Sequence, residues 1–460
     1  MTTQKSAKPR RWLMPVVLFD AVALSVFYYH IPTIRRPLEV LLAILTVLCV
    51  ITAVAAGPRR LRNALVVGTS VFATLFFLEL GQKYINLSEL LPRSPKAAAG
   101  QTDPWSWKNN PNIAAEYLEV KRRAIAEGIL PPEDDFAGDI FAGTDKSELV
   151  IATTITSTNI ELIAEGIKPY NLNVPPLGSG PTPSNRVRTY ARYHPTGTML
   201  FDGAVSINEH SFRETRGNPD SDETYIFLGC SVTFGYGLSD HQTMPYYFSK
   251  AMNFEKQVMN FAFSGYGVHQ ALRDLETDYH ASQAGLDSRK VKGVFFGLID
   301  GHILRMDDTR YTKSPYYILR NGRPVYAGSY AEHTGLSVLS RLNILLERSR
   351  SYQSFRGRLG WIRDQKFWEI TLAMLGEMNR LCMEKYGVPL TVIYWDNHQP
   401  ALDKLAEQGM PVVKVKEGFA DQGDYKAIKY MLFDFHPSAY ANEVLGRYVY
   451  EQSVRNVLGE

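Results

Sequence analysis

Cysteine is scarce in this chain. Its 460 residues hold 3, at Cys49, Cys230 and Cys382, and their spacing makes neither a disulfide framework nor a zinc site. Buried thiols are the expected state, with a Cys230–Cys382 bridge as the alternative in an oxidising compartment. An excess of one charge is missing too: 50 Lys and Arg stand against 47 Asp and Glu, a formal net of +3. With the basic residues scattered beyond the N-terminus and no nucleic-acid motif, nucleic acid is not an expected partner. No His-Glu-x-x-His or comparable ligand spacing occurs, so neither a metal nor another cofactor is expected. What is present is a folded composition, 45% apolar and 21% charged, over a length that calls for more than one structural unit.

Long hydrophobic runs are confined to the first fifth, at residues 12–29, 38–57 and 64–80. Each is near the roughly 20 residues that cross a bilayer as a helix, and a signal peptide accounts for only one of them. Residues 1–85 are therefore expected to form an anchor of three transmembrane helices, with the lipid bilayer as partner. Lys5, Lys8, Arg10 and Arg11 precede the first run, and Arg59, Arg60 and Arg62 separate the second from the third. Only Arg35 and Arg36 lie between the first two. The positive-inside rule then puts the N-terminus in the cytoplasm and everything after the third run outside it. The expected location is the inner membrane, multi-pass, with the C-terminal part periplasmic. Asp20 and Glu79, within or at the ends of these runs, read as interhelical or interfacial groups rather than a transport path.

Residues 86–222 read as a linker and an accessory α+β region, helical over 113–128 and strand-like over 150–160. From 223 to 460 strands alternate with helices. Strands are expected at 225–228, 258–263, 291–299, 389–395 and 412–415, and helices at 243–252, 267–279, 335–348, 367–386 and 437–457. The expected fold is α/β, a three-layer doubly wound parallel sheet of flavodoxin-like type, whose sites form outside the carboxyl ends of the strands.

The first such strand runs into Gly229-Cys230-Ser231-Val232-Thr233-Phe234-Gly235-Tyr236-Gly237. A serine in a glycine-rich turn entering a helix presents its hydroxyl at the sheet edge, where backbone N–H groups can face an oxyanion. A capping serine or a phosphate cradle are the alternatives. No Lys-Ser/Thr pair follows, which excludes a P-loop, and the glycine spacing is wrong for a dinucleotide fingerprint. Near the C-terminus stands Asp434-Phe435-His436-Pro437. A serine nucleophile needs a base for its proton, and that imidazole works best when a carboxylate orients it. Standing alone, the same residues read equally as a helix-start Asp and a surface His.

Together these segments resemble the SGNH (GDSL-like) hydrolase family, over residues 224–458. The resemblance makes Ser231 the nucleophile, with Cys230 where the family has Asp. Asn260-Phe261-Ala262-Phe263-Ser264-Gly265-Tyr266-Gly267 matches the second motif, which gives Gly265 an oxyanion role beside the Ser231 N–H. Asp434 and His436 match the terminal pair, although the family more often has two residues between them. The third motif departs from the pattern: Gly297-Leu298-Ile299-Asp300-Gly301-His302 lacks the usual asparagine donor, for which Asn397 is a candidate substitute. Asp300, His302, Asn397 and Tyr266 are candidate cleft-lining residues. Two triplets, Asp300-Gly301-His302 and Asp396-Asn397-His398, could join Asp434 and His436 around a metal, but lining is the favoured reading.

The resemblance implies a serine-dependent acyl-ester hydrolase acting on O-acylated, above all O-acetylated, carbohydrate outside the cytoplasmic membrane. Two alternatives stay open. One is a polysaccharide O-acetyltransferase using the same residues with an acyl-donor partner protein. The other is a catalytically degenerate glycan-binding or scaffold protein of an envelope assembly. Tyr236, Tyr266 and Trp395 could stack on sugar rings under any of these readings.

Overall fold

The structure is a computed structural model that describes residues 113–128, 140–141, 144–155, 160–193, 197–307, 312–334, 350–396, 398–423, 429–431 and 436–455. The three N-terminal apolar runs and the helix expected at 335–348 lie outside the described residues. Among those described, no helix is long and apolar enough to cross a membrane. Nearly all of them belong to one of two compact units, Gln101–Leu336 with Ile362–Glu460.

This unit opens with helix α1 (Ile113–Ala126) and an antiparallel meander of β1 (Val150–Ile155), β2 (Ile160–Gly166), β5 (Asn185–Tyr193) and β6 (Thr198–Ile207). A two-residue ladder, β3 (Asn171–Leu172) with β4 (Gly180–Pro181), sits in the β2–β5 connection. The alternation of Val187, Thr189 and Ala191 with Arg188 and Arg192 along β5 turns one face inward and one outward.

Then the pattern changes to continuous apolar strands. All five residues of β7 (Thr224–Leu228) are buried. Helix α2 (Ser231–Phe234) and helix α3 (Met244–Ala251) lead to β8 (Gln257–Asn260), and helix α4 (Val268–Thr277) leads to β9 (Val291–Leu298). A hairpin of β10 (Pro315–Arg320) and β11 (Arg323–Ser329) follows, its turn made by Asn321 and Gly322 at φ +52° and +74°. The long helix α5 (Arg350–Tyr386) precedes β12 (Leu390–Tyr394), helix α6 (Gln399–Glu407), β13 (Val412–Lys414) and helix α7 (Ala439–Tyr450).

The five later strands are all parallel, ordered β8-β7-β9-β12-β13. In chain order that is 2-1-3-4-5, the flavodoxin-like arrangement, with its topological switch point between β7 and β9. Continuous burial follows from helices on both faces. Ile226, Leu228, Val294, Phe296, Val392 and Tyr394 pack against α4, α5 and α6. The intervening Tyr225, Phe227, Phe295 and Ile393 pack against α1, α3 and α7. Cys230 and Cys382 are buried free thiols, one in each of these cores, and burial pushes the Cys382 thiol up to about 12. The two sheets meet at Arg213, which bridges Ile207 at the end of β6 to Asn260 at the end of β8.

Candidate active site

The switch point is where the Ser231 turn lies. β7 ends at Leu228, and Gly229 takes φ +150°. A Cβ at Gly229 would collide with the Thr233 side chain and come 3.4 Å from the Gly297 N of neighbouring β9, so only glycine fits. Cys230 is the N-cap of α2 and Ser231 its first residue. Ser231 O accepts the N–H groups of Gly235 and Tyr236, each at 3.0 Å. As the first helical residue, Ser231 has no intrahelical acceptor for its own N–H.

His436 arrives from the other end of the chain. Met431 N–H donates to His436 O at 2.9 Å, and Ser438 N–H donates to Lys429 O at 2.9 Å. Ser438 then caps α7, its hydroxyl accepting Ala441 N–H at 3.2 Å. The imidazole so presented brings Nε2 to 2.8 Å from Ser231 Oγ. Ser231 is only 8% exposed, so the pair is nearly closed off from bulk water. The Tyr236 ring lies 4.7 Å from the imidazole and is backed by Phe201 of β6 at 5.7 Å.

The second motif is drawn to the same place by backbone pairing. Phe261 N–H donates to Phe227 O at 2.8 Å and Phe263 N–H to Gly229 O at 3.3 Å, which extends the β8 pairing to the Ser231 turn. Two residues on, Gly265 forms a turn at φ +87°. This loop is fixed from several sides. Tyr266 OH donates to Ser179 O at 2.7 Å, Arg305 donates to Tyr266 O, and Gly267 N–H donates to the Gln270 side chain at 2.7 Å. The buried Asn260 amide donates to Thr233 O at 3.3 Å and accepts Ala262 N–H at 3.2 Å, tying this segment to α2.

The other candidates divide. Asp300 accepts the Tyr394 hydroxyl at 2.6 Å, and its N–H donates to the Asp396 carboxylate at 2.6 Å, so the ends of β9 and β12 are joined there. Two candidate lining residues turn inward instead. His302 is 2% exposed, packed on Phe296, and burial holds its imidazole well below the usual histidine range. Tyr266 is also 2% exposed, committed to the accessory region through its hydroxyl. The apolar neighbours of both explain the difference, since a position after a strand end can serve the core as readily as the cleft. Trp395 is nearly buried, and the Lys429 ammonium lies between its ring and those of Phe419 and Tyr430. Asp434 and Asn397 lie outside the described residues.

Sequence reasoning missed three participants. In the sequence Tyr394 reads only as a strand residue, Asn260 as part of a motif without a side-chain role, and Arg213 carries no signal. Nothing in Ser211-Phe212-Arg213-Glu214 marks that arginine, because its partners are carbonyls brought together by the fold.

Comparison of the sequence with protein-family profiles and with curated proteins gives no match. Among solved structures the chain is similar to esterases and lipases. One is a mutant of Axe2, an acetyl-xylooligosaccharide esterase from Geobacillus, with 13% identity, 51% of this chain and 95% of that chain covered, and a TM-score of 0.30. Another is the esterase EstA from Pseudoalteromonas, inhibited by monoethylphosphonate, with 12% identity, 52% and 100% covered, and a TM-score of 0.26. A third, from Desulfitobacterium hafniense, is described as a lipolytic protein of the G-D-S-L family, with 11% identity, 50% and 98% covered, and a TM-score of 0.27. Overlaps this low leave the functional argument to the geometry of the site.

Proposed function

We propose that this protein is a serine-dependent acyl-ester hydrolase of SGNH type, acting on O-acetylated carbohydrate outside the cytoplasmic membrane. The observation that carries the reading is the 2.8 Å contact between Ser231 Oγ and His436 Nε2 at the switch point of the sheet. A hydroxyl is a weak nucleophile, and an imidazole at this distance can take its proton as the C–O bond forms. Ser231 attacks the ester carbonyl, His436 Nε2 receives the hydroxyl proton, and the backbone N–H groups of Ser231 and Gly265 stabilise the oxyanion. Collapse of the tetrahedral species expels the alcohol, which takes the proton from His436. Water, activated by the same imidazole, then releases the carboxylic acid. Asp434 is assigned to orient the imidazole by its place two residues earlier. A sugar hydroxyl in place of water gives acyl transfer by the same residues, supplied by an acyl-donor partner protein. The extracytoplasmic setting rests on the charge pattern around the three N-terminal runs.

The test is covalent labelling of the full-length protein with a fluorophosphonate probe, beside Ser231→Ala and His436→Ala. Labelling of the wild type that is lost in both variants is expected. A folded wild type that takes no label rules out an activated serine. Release of acetate from acetylated oligosaccharide, with and without an acceptor sugar, separates hydrolysis from transfer.

A further inference from the structure

The antiparallel sheet has no part in the reaction scheme above, yet its last strand and the segment after it are stitched to the nucleophile turn. Among the described residues, Arg213 is the largest side chain with no exposure at all. Its guanidinium donates to Phe234 O at 2.8 Å, Gly235 O at 2.7 Å and Leu238 O at 2.6 Å, and to the Asp240 carboxylate at 2.8 Å. Phe234 closes α2 and Gly235 follows it, so these are carbonyls that a four-residue helix leaves without intrahelical donors. A cation at that end of a helix is favourable. The planar fork of arginine can serve several acceptors in fixed directions, which a lysine ammonium cannot.

β6 reinforces the same loop. Ala204 N–H donates to Ser239 Oγ at 3.2 Å, and Ser206 N–H donates to the Asp240 carboxylate at 3.0 Å. A Cβ on Gly203 would stand 2.7 Å from the backbone carbons of Gly237 and Leu238, so strand and loop meet backbone to backbone.

We propose that Arg213 is a positioning residue for Ser231, and that the antiparallel sheet serves this chain as the element that keys the nucleophile turn. The inference deepens the acyl-transfer reading and rests on it for its catalytic consequence. Fixing residues 234–238 fixes the C-terminal end of α2, and Ser231 stands at the other end of that single turn. Misplacing a reacting group by about 1 Å can cost ~10²-fold in rate.

The test uses the full-length chain and the variants Arg213→Met, Arg213→Lys and Gly203→Ala. Arg188→Ala, on the outer face of the same sheet, is the control for general loosening. Two readouts are taken: the labelling rate of Ser231, with kcat and KM on a short soluble ester, and hydrogen exchange along the chain. Arg213→Met is expected to label ~10²-fold more slowly, with kcat reduced and KM unchanged, and to lose amide protection over residues 230–238 alone. Arg213→Lys should fall between it and the wild type. Wild-type labelling and protection in folded Arg213→Met overturn the proposal, as does a loss of protection spread over the whole unit in every variant, the control included. Should Arg213→Met fail to fold, Gly203→Ala decides by the same two readouts. If the wild type takes no label, the acyl-transfer reading falls, while protection over 230–238 still decides whether Arg213 clamps the turn.

Discussion

Placing a methyl group at Gly297 should disrupt the Ser231 turn from the neighbouring strand, and removing a second group should restore it. An ideal Cβ on Gly297 of β9 falls inside contact distance of Thr233 Oγ1, but 3.5 Å from Thr233 Cβ, an ordinary van der Waals separation. Thr233 is the third residue of α2, has no exposure, and its hydroxyl has no hydrogen-bond partner. Gly297→Ala alone must push α2 away from β9 or force Thr233 off its rotamer, at a cost of about 1–3 kcal/mol. Thr233→Ala alone deletes a methyl and an unpartnered hydroxyl, so it should cost about 1 kcal/mol. The double variant brings two methyl groups together at the tolerated separation. It should be more stable than the sum of the single effects by about 1–3 kcal/mol, within the range measured for residues in contact. Urea unfolding of the four proteins measures the coupling, and probe labelling of Ser231 measures recovery of the turn. Additive costs, or a double variant that labels no faster than Gly297→Ala, would refute the claim that Thr233 is the obstruction.

Acid stability supplies a second prediction. His269 is buried with neither ring nitrogen hydrogen-bonded, and burial, aided by Arg305, holds its imidazole down to about 3. The unfolded chain binds that proton near pH 6.5, so stability is fully present above 6.5 and falls through the window from 6.5 to about 3, at up to about 1.4 kcal/mol per pH unit. His269→Leu should flatten urea midpoints measured between pH 7 and 5, and an unchanged slope would show that another group carries the effect. Asn260→Ala should cost about 1–3 kcal/mol in the same assay, because Thr233 O and Ala262 N–H both lose a buried partner; a neutral change would mean water replaces the amide. Combining Ser231→Ala with His436→Ala should cost no more activity than either substitution alone, since the two act as one unit. Ester turnover measures this, and additive losses would argue against a shared step.

The doubly wound sheet was legible because its strands are buried on both faces and therefore read as unbroken apolar runs such as Tyr225-Ile226-Phe227-Leu228 and Val392-Ile393-Tyr394. Their edges fall within a few residues of expectation, with β8 ending at Asn260 rather than 263, where the chain leaves the ladder for the Gly265 turn. The meander was harder. The strand expected over 150–160 is two strands, and β5 carries three arginines, Arg186, Arg188 and Arg192, on positions that a hydrophobic count discards. The β10–β11 hairpin had a usable signal in Asn321-Gly322, since both residues of a type I′ turn need positive φ. Ser231 and His436 could be read because their chemistry requires those side chains. Arg213 could not, because its acceptors are main-chain carbonyls that exist as a set only after folding.

Asp300 poses the remaining chemical question at this site. It follows β9 where the resembled family supplies an asparagine donor, and the register pairing Leu228 with Phe296 sets the ends of β7 and β9 side by side. One Asp300 oxygen accepts the Tyr394 hydroxyl, and an ionised carboxylate has nothing to donate to an oxyanion. Asp300→Asn keeps an acceptor for Tyr394 and adds an N–H donor on the same side-chain frame. A well-aimed oxyanion donor is worth ~10²–10³ in kcat, so even partial alignment should raise kcat on a short acetyl ester by ~10-fold. KM should stay the same, because the new bond forms with charge that develops only in the transition state. A fall in kcat would instead mean that the carboxylate charge itself is used, through its hold on the Tyr394 hydroxyl. That outcome would move the search for a third donor away from β9 and onto the backbone of the Ser231 and Gly265 turns.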